Sequence, residues 1–293
     1  MAISDDLSSA ARTVLVRTGP SVVSIGTDGR GSGIVIAPGK VLTNSHNLRD
    51  RTTLVTFADG RAAQGSVSGV DDDGDVVVLD VDTESAPAIT WAETVPAAGE
   101  IVFALSRGGQ RARISFGMVS SADVAFHGPR GRQVQGGVEH TAPLPRGSSG
   151  GPITDAQGRV VGVNTHRTGR GFYVARPIDD VLRSTIGDLA AGKSVVRPRL
   201  GIALAPPHIA ARLRASVGLP GREGLLVRGV EAEGRAAAAG IAEGDLLVAA
   251  GDTPLTSIDA LHDAVAAAGD SMTLTVVRGT EERTVVIDLS AKP

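Results

Sequence analysis

Residues 147–165 read GSSGGPITDAQGRVVGVNT, and this stretch decides how the chain is interpreted. Ser149 lies among glycines that permit a tight turn, with its hydroxyl exposed and backbone N–H groups pointing past it. Such a turn supplies a nucleophile and preorganised donors for a developing oxyanion, which acyl transfer requires. A glycine-serine loop without chemistry is the alternative, so the interpretation depends on a base and a carboxylate elsewhere in the chain.

Both groups occur upstream of Ser149. His46 ends the run Leu-Thr-Asn-Ser-His and can act as a general base, because a free histidine has a pKa of ~6.5. Asp75 precedes the apolar run 76–79 and can orient an imidazole from the mouth of a buried strand. The order His, Asp, Ser is a known order for a catalytic triad. The acidic run 71–73 offers weaker candidates for the acid and is interpreted as a solvated turn.

Three segments, in this order, resemble the HtrA (DegP) type of serine protease. They are GSGIVIAPGKVLTNSHNL at 31–48, GDVVVL at 74–79 and the 147–165 stretch, and PSVVSI at 20–25 resembles the family's first strand. The resemblance implies that Ser149 is the nucleophile, His46 the base and Asp75 the orienting acid. It further implies an oxyanion hole formed by Gly147, Ser148 and Ser149.

The residues around the expected substrate cleft depart from the family pattern. Ser148 replaces the usual Asn, and Tyr173-Val-Ala-Arg-Pro replaces the usual Gly-Phe-Ala-Ile-Pro. The candidate substrate-binding residues are Leu144, Arg146, Thr165 and Tyr173. Leu144 predicts an apolar first pocket that accepts small or medium aliphatic residues. His166 is interpreted as a surface loop histidine.

The carboxy-terminal part of the chain resembles a PDZ domain, which in this family follows the protease. Residues 234–255 resemble the core of such a domain. A PDZ domain binds a peptide as an added strand beside a helix, and here peptides with apolar carboxy termini are expected. The predicted groove residues are Arg199, Leu200, Gly201, Ile202, Ile258, Leu261, His262 and Val265.

The predicted fold class is mainly β, with a chymotrypsin-like double β-barrel followed by a small α+β PDZ domain. Short β-rich runs at 21–25, 33–37, 53–57, 76–81, 101–105, 113–120, 151–154 and 160–164 indicate two barrels or a sandwich. The predicted boundaries are a protease domain at 1–192 with a helix at 4–16, a linker at 193–198 and a PDZ domain at 199–293.

Composition excludes several other classes of function. A net charge of −3 leaves no basic footprint for nucleic acid, and the chain contains no cysteine. No cofactor and no metal are expected, and no segment has the ~20 apolar residues of a membrane span. Asp5 and Asp6 stand where an export signal carries positive charge, which predicts a cytoplasmic protein. The family resemblance keeps a periplasmic or extracytoplasmic location open.

The predicted function is endoproteolysis of unfolded or misfolded polypeptides through an acyl-enzyme, with peptide recognition by the PDZ domain. The alternative is a latent or inactive protease that acts as a peptide-binding chaperone or adaptor. The resemblance leaves a homotrimer open as the assembly, because members of the family often associate through the protease domain.

Overall fold

The computed structural model describes residues 3–109, 111–129, 131–169 and 171–290, without the side chain of Asp28. The chain divides into two compact units between Val195 and Val196, which lies inside the predicted linker. Each unit has its own hydrophobic core. None of the helices in the described ranges is long and apolar enough to cross a bilayer.

The first unit contains two closed β-barrels, an amino-terminal helix α1 (Ile3–Thr18) and a later helix α2 (Asp180–Ala190). The strands of the first barrel are β1 (Val22–Ile25), β2 (Gly31–Ala37), β3 (Lys40–Thr43), β4 (Thr52–Thr56), β5 (Ala62–Asp71) and β6 (Val76–Asp80). Those of the second are β7 (Ile101–Gly108), β8 (Arg111–His127), β9 (Gln133–His140), β10 (Pro152–Thr154), β11 (Val160–Gly169) and β12 (Phe172–Pro177). They pair in the orders β1-β2-β3-β6-β5-β4 and β10-β11-β12-β9-β8-β7.

Strands β1, β3 and β6 of the first barrel bury both faces, which explains their nearly continuous apolar sequences. In β6, Val77 and Leu79 belong to the core inside the barrel, whereas Val76 and Val78 belong to a second core. The second core also holds side chains of the other barrel and of both helices, including Phe103, Val163 and Leu182. A strand that is buried on both sides has no polar face to alternate with the apolar one. The packing therefore accounts for the run VVVL.

The second unit is a sheet with helices. Its strands are β13 (Ile202–Ala205), β14 (Leu225–Val230), β15 (Leu246–Ala250), β16 (Thr253–Pro254), β17 (Ser271–Arg278) and β18 (Glu281–Asp288), and its helices are α3 (Pro207–Ser216), α4 (Arg235–Ala238) and α5 (Ile258–Ala267). The strand order is β13-β14-β15-β17-β18, with β16 paired to β15. Strand β13 therefore lies at an edge of this sheet.

The expectation of a mainly β fold with two barrels and a smaller α+β unit is confirmed. The predicted strands are incomplete, because they omit β3, β5, β9, β12, β13 and β16. Strand β5 reads AAQGSVSGVD and β9 reads QVQGGVEH, and both are rich in Gly, Ala, Gln and Ser, which are weak strand formers. Their pairing to apolar neighbours, not their own sequence, holds them in the barrels.

Candidate active site

The pairing of β3 with β6 brings His46 and Asp75 together. Thr43 at the end of β3 lies opposite Val77, and His46 follows in a single 3-10 turn, Ser45–Asn47. Asp75 immediately precedes β6. The imidazole Nδ1 of His46 lies 2.8 Å from Oδ2 and 2.9 Å from Oδ1 of Asp75. The imidazole is thus held through Nδ1, which leaves its Nε2 atom for other chemistry.

Asp75 is a fully buried carboxylate that its neighbours keep ionised. Its Oδ1 also accepts hydrogen bonds from the backbone N–H of His46 at 3.1 Å and from the hydroxyl of Ser45 at 3.2 Å. Burial by itself raises the pKa of Asp75, but the hydrogen bond and charge of His46, together with the Thr165 hydroxyl, more than offset this and hold the pKa below its usual value. The backbone of Asp75 has a φ of 56°, a left-handed conformation that Asp tolerates better than most residues.

The loop that carries Ser149 depends on two glycines with positive φ. Gly147 has a φ of 83° and Gly150 a φ of 85°. A Cβ at Gly147 would lie 2.2 Å from the carbonyl oxygen of Gly29, and one at Gly150 would lie 2.1 Å from that of Ser32. Both positions therefore require glycine for conformation and for space.

Strand β2 of the first barrel fixes this loop through Ser32. The hydroxyl of Ser32 donates to the carbonyl oxygen of Gly147 at 2.8 Å, and its backbone N–H donates to that of Ser149 at 2.8 Å. The side-chain amide of Asn47 donates to the same Ser149 oxygen at 2.9 Å. These bonds join the loop that holds the serine to the turn that holds the histidine.

The hydroxyl of Ser149 donates to the backbone oxygen of Thr165 at 3.2 Å. Within the described ranges, no hydrogen bond joins this hydroxyl to His46, and no acceptor is bound to the N–H of Gly147 or of Ser149. Rotation about the Cα–Cβ bond of Ser149 is needed to turn its oxygen toward the imidazole. Loose geometry of this kind is common where no substrate is present.

A second histidine, His166, joins the network through the hydroxyl of Thr165. The hydroxyl of Thr165 donates to Oδ2 of Asp75 at 2.6 Å, and Nδ1 of His166 lies 2.7 Å from the same hydroxyl oxygen. Since the Thr165 proton is used toward Asp75, His166 must donate from Nδ1. Its ring centroid is 5.9 Å from that of His46. Partial burial lowers the pKa of His166, and the Asp75 charge opposes this.

A cavity of about 250 Å³ opens beside Ser149. All four candidate substrate-binding residues line it, together with the serine loop and neighbouring side chains: Leu144, Pro145, Arg146, Gly147, Ser148, Ser149, Asn164, Thr165, His166, Arg167 and Tyr173. Tyr173, in the wall of the cavity, is held by packing, because its ring stacks on the buried ring of His140 with centroids 5.8 Å apart. His140 in turn bonds through Nε2 to Asn164 Oδ1 at 2.9 Å.

The structure corrects two sequence interpretations. His166 is not a surface loop residue: it is half-buried in strand β11 and bonded into the Asp75 network. Asp71 is not part of a solvated turn, because it is buried at the end of β5 and accepts from the backbone N–H of Gly74 at 3.0 Å. Asp75 makes the contacts with His46 that the triad interpretation requires.

The predicted PDZ groove residues fall into two groups in the second unit. Leu200, Leu261 and Val265 are buried in its hydrophobic core, where their packing alone accounts for them. Ile202 in the edge strand β13 and Ile258 in α5 are only partly buried, as is His262. Gly201 has a φ of 74°, and Arg199 is exposed and lies 3.5 Å from Glu231.

Comparisons with known proteins identify two domain families in the chain. The trypsin-like peptidase domain family matches residues 31–163, and the PDZ domain family matches residues 226–278. A protein of Pseudomonas fluorescens named "Probable periplasmic serine endoprotease DegP-like" is 30% identical over 274 residues, covering 90% of this chain and 56% of its own length. "Protease Do-like 1, chloroplastic" of Arabidopsis thaliana is 28% identical over 292 residues, covering 90% of this chain and 64% of its own length.

Solved structures show the same fold. The HtrA-type protease AlgW with a decapeptide superposes with a TM-score of 0.65 at 21% identity, covering 97% of this chain and 99% of that one. The serine endoprotease from Yersinia pestis gives a TM-score of 0.63 at 24% identity, covering 97% and 98%.

The fold and the matched families define a trypsin-like serine peptidase domain followed by a PDZ domain. Along 90% of its length the chain is similar to the DegP-like serine endoprotease of Pseudomonas fluorescens, and its fold is that of the HtrA-type protease AlgW. It spans less than two thirds of the length of the curated relatives described above.

Proposed function

We propose that this chain is a serine endopeptidase in which Ser149 is the nucleophile, His46 the general base and Asp75 its orienting acid. The observation that carries the proposal is the pair of bonds from His46 Nδ1 to the buried Asp75 carboxylate, in the same unit as the Ser149 loop. A carboxylate on Nδ1 holds the imidazole in the tautomer whose Nε2 accepts a proton and stabilises the imidazolium that forms.

The reaction then follows from the atoms at the site. Ser149 Oγ attacks the scissile carbonyl carbon while its proton passes to His46 Nε2, and the carbonyl oxygen becomes an oxyanion. The N–H groups of Gly147 and Ser149 receive that oxyanion. His46 returns the proton to the leaving amine, which breaks the peptide bond and leaves an acyl-enzyme. Water then attacks the acyl-enzyme by the same steps and restores Ser149.

Active-site labelling tests this assignment directly. A fluorophosphonate that phosphonylates reactive serines should label the wild-type protein, and Ser149→Ala should abolish both labelling and proteolysis. The substitution removes one hydroxyl from a loop, so the melting temperature should change little. We expect kcat to fall by about a million-fold, the scale recorded for loss of a triad serine. Normal turnover by a folded, contaminant-free Ser149→Ala protein would contradict the assignment.

We further propose that unfolded or misfolded polypeptides are the substrates. The relatives are named serine endoproteases, which supports cleavage of polypeptides, and the restriction to unfolded chains is what the family resemblance implies. A permanently unfolded, carboxymethylated protein should be degraded faster than the native form of the same protein. Equal degradation rates for the unfolded and native forms would contradict the proposed substrate class. The alternative of an inactive chaperone is not favoured, because the three groups that the chemistry needs are present and two of them are already bonded.

The second unit is proposed to bind peptides through strand β13. This strand is at a sheet edge, where a peptide can add as a further strand. Ile202 and Ile258 offer partly exposed apolar contacts, and Gly201 lets the backbone approach closely. Full-length Ser149→Ala protein should bind a peptide with a free, apolar carboxy terminus more tightly than its amidated form. Equal affinity would exclude carboxylate recognition.

The compartment and the assembly remain predictions. The word periplasmic in the names of DegP-like relatives favours an extracytoplasmic location. Fractionation of the native host decides the compartment, and light scattering of the purified chain decides whether it forms a homotrimer.

A further inference from the structure

Three adjoining cavities surround the loop that carries Ser149. Among the described residues, the charged side chains that line them are all arginines. The cavity beside Ser149 shares Leu144 and Pro145 with a second, of about 330 Å³, and shares Arg146 with a third, of about 550 Å³. Arginines contribute to all three, and among the residues whose side chains the structure describes no Asp or Glu lines any of them. This is unusual in a chain whose net charge is −3. An anion that enters the cleft meets cations without competing carboxylates.

Arg167 is held on the wall of the cavity beside Ser149. Its Nη2 donates to the Tyr173 hydroxyl at 3.1 Å, and its Cζ lies 5.0 Å from the centroid of the Tyr173 ring. Tyr173 is itself buried against His140. A guanidinium that stacks on a fixed aromatic ring loses less freedom when it binds an anion than one that is free in solvent.

Arg146 faces the same cavity from the serine loop, three residues before Ser149. Its side chain is exposed and, among the described residues, makes no ion pair. By contrast, Arg61 pairs with Glu84 at 3.4 Å and Arg159 with Asp155 at 2.6 Å. Arg146 and Arg167 thus leave two guanidinium groups available beside the nucleophile.

We propose that the cavity beside Ser149 binds an acidic side chain of the substrate, a Glu immediately before the scissile bond, through Arg146 and Arg167. The proposal rests on the proposed endopeptidase function and names the substrate class of that site. It replaces the aliphatic preference that Leu144 alone suggested. That expectation considered only the serine loop, whereas Arg167 reaches the cavity from strand β11 by pairing with Tyr173.

The position follows from where the scissile carbonyl must lie. Its oxygen points at the N–H groups of Gly147 and Ser149, so the side chain of the residue that supplies the acyl group enters the space between the serine loop and β11. That space is the cavity described here. Leu144 then packs on the methylene groups of Glu, and the carboxylate oxygens accept bidentate hydrogen bonds from the guanidinium N–H groups.

Three internally quenched peptides test the proposal with the full-length protein. They are identical except for Glu, Gln or Val before the scissile bond. We expect kcat/KM for Glu to exceed that for Gln by about 10-fold at low salt. The ratio should fall toward one in 1 M NaCl, where the Debye length is only about 3 Å. Lower kcat/KM for Glu than for Val or Gln would overturn the proposal.

Charge-neutralising variants assign the effect to residues. Arg167→Gln and Arg146→Gln should each reduce the Glu:Gln ratio several-fold, measured as the ratio of the two rates within each variant. Arg113→Gln is the matched control, because Arg113 lines the second and third cavities but not the one beside Ser149. An unchanged ratio in both Arg146→Gln and Arg167→Gln would overturn the proposal, and so would an equal loss in the control.

Binding separates this proposal from the proposed function. Ser149→Ala protein should bind the Glu peptide about 10-fold more tightly than the Gln peptide, and added Arg167→Gln should remove the difference. If no peptide is cleaved by the wild-type protein but this preference holds, the endopeptidase assignment fails and the acidic site stands. Equal binding of the two peptides overturns the acidic site, whether or not they are cleaved.

Discussion

Replacing Thr165 with Val tests the network behind the triad. Valine has nearly the same shape as threonine but lacks the hydroxyl, so the change removes the bond of 2.6 Å to Asp75 and the acceptor for His166. Thr165 is buried, and water cannot take the place of the lost hydroxyl without rearrangement. Asp75 keeps its bonds from His46 and Ser45, so its charge remains in place.

The magnitude follows from the kind of bond removed. A hydrogen bond to a charged group contributes about 1.5–3 kcal/mol. If all of this were lost in the transition state, kcat/KM would fall roughly 10- to 100-fold, because a tenfold change corresponds to about 1.4 kcal/mol. Part of the loss will appear instead as reduced stability of the folded protein. We therefore expect kcat/KM to decrease by about 10-fold, the lower end of that range, and the unfolding free energy to decrease by about 1 kcal/mol.

The pH dependence gives a second measurement. The pKa of Asp75 is lowered in the folded protein, so its contribution to stability is complete above the pKa of the unfolded chain and is lost as pH falls through the folded-state value. Removing the Thr165 hydroxyl raises the folded-state pKa. Thr165→Val should therefore lose less stability on acidification than the wild type, and that loss should be complete at a higher pH. Urea unfolding between pH 3 and 7 measures this directly.

Thr165→Ser is the control, because it keeps the hydroxyl and loses only a methyl group. It should retain most of the activity and the wild-type acid sensitivity. If Thr165→Val matches the wild type in kcat/KM, unfolding free energy and acid sensitivity, the bond to Asp75 has no energetic role and the reasoning is wrong.

Three further predictions concern residues around the site. Ser32→Ala removes the donor to the Gly147 carbonyl oxygen, so kcat should fall about 10-fold with little change in KM, as steady-state kinetics would show; a change in KM alone would contradict this. Gly147→Ala places a Cβ 2.2 Å from the Gly29 oxygen at a φ of 83°, and fluorophosphonate labelling should be lost, whereas labelling at the wild-type rate would refute the strain. Burial lowers the pKa of His140, so its contribution to stability is present above about pH 6.5 and decreases as pH falls. In His140→Gln, which keeps a donor for Asn164, thermal unfolding should show less loss of stability between pH 7 and 5 than in the wild type, and an equal loss would exclude His140 as the source.

The sequence alone predicts candidate residues where the signal is a short local motif. Ser149 needs glycines at neighbouring positions, and the reason is visible in the positive φ of Gly147 and Gly150. Asp75 is recognisable because it precedes a run of apolar residues that is buried on both faces. Each signal lies within a few residues of the group that it identifies. The barrel pairing that unites these groups was implied by the family resemblance alone.

Contacts made across the sheet could not be read in this way. Ser32 lies far from Ser149 along the chain, and nothing in the sequence indicates that its hydroxyl reaches Gly147. His140 and Asn164 were likewise unconnected until strands β9, β12 and β11 were seen to pair side by side. In the second unit, the sequence pattern identified a helix face but did not indicate what that face packs against. Helical spacing identified Leu261 and Val265 correctly as one face of α5, but that face packs into the core.

The wall of the cavity shows why specificity was the hardest property to predict. In a regular strand successive side chains point to opposite faces, so only alternate residues could line one cavity. The pairing of β11 with β12 shifts register between Asn164 and His166 and again between Arg167 and Gly169. These irregularities allow consecutive residues, from Asn164 to Arg167, to border the same space. A strand that was expected to end at Asn164 continues through the bulge, and the bulge supplies the site with a histidine bonded to the Asp75 network and a guanidinium held by Tyr173.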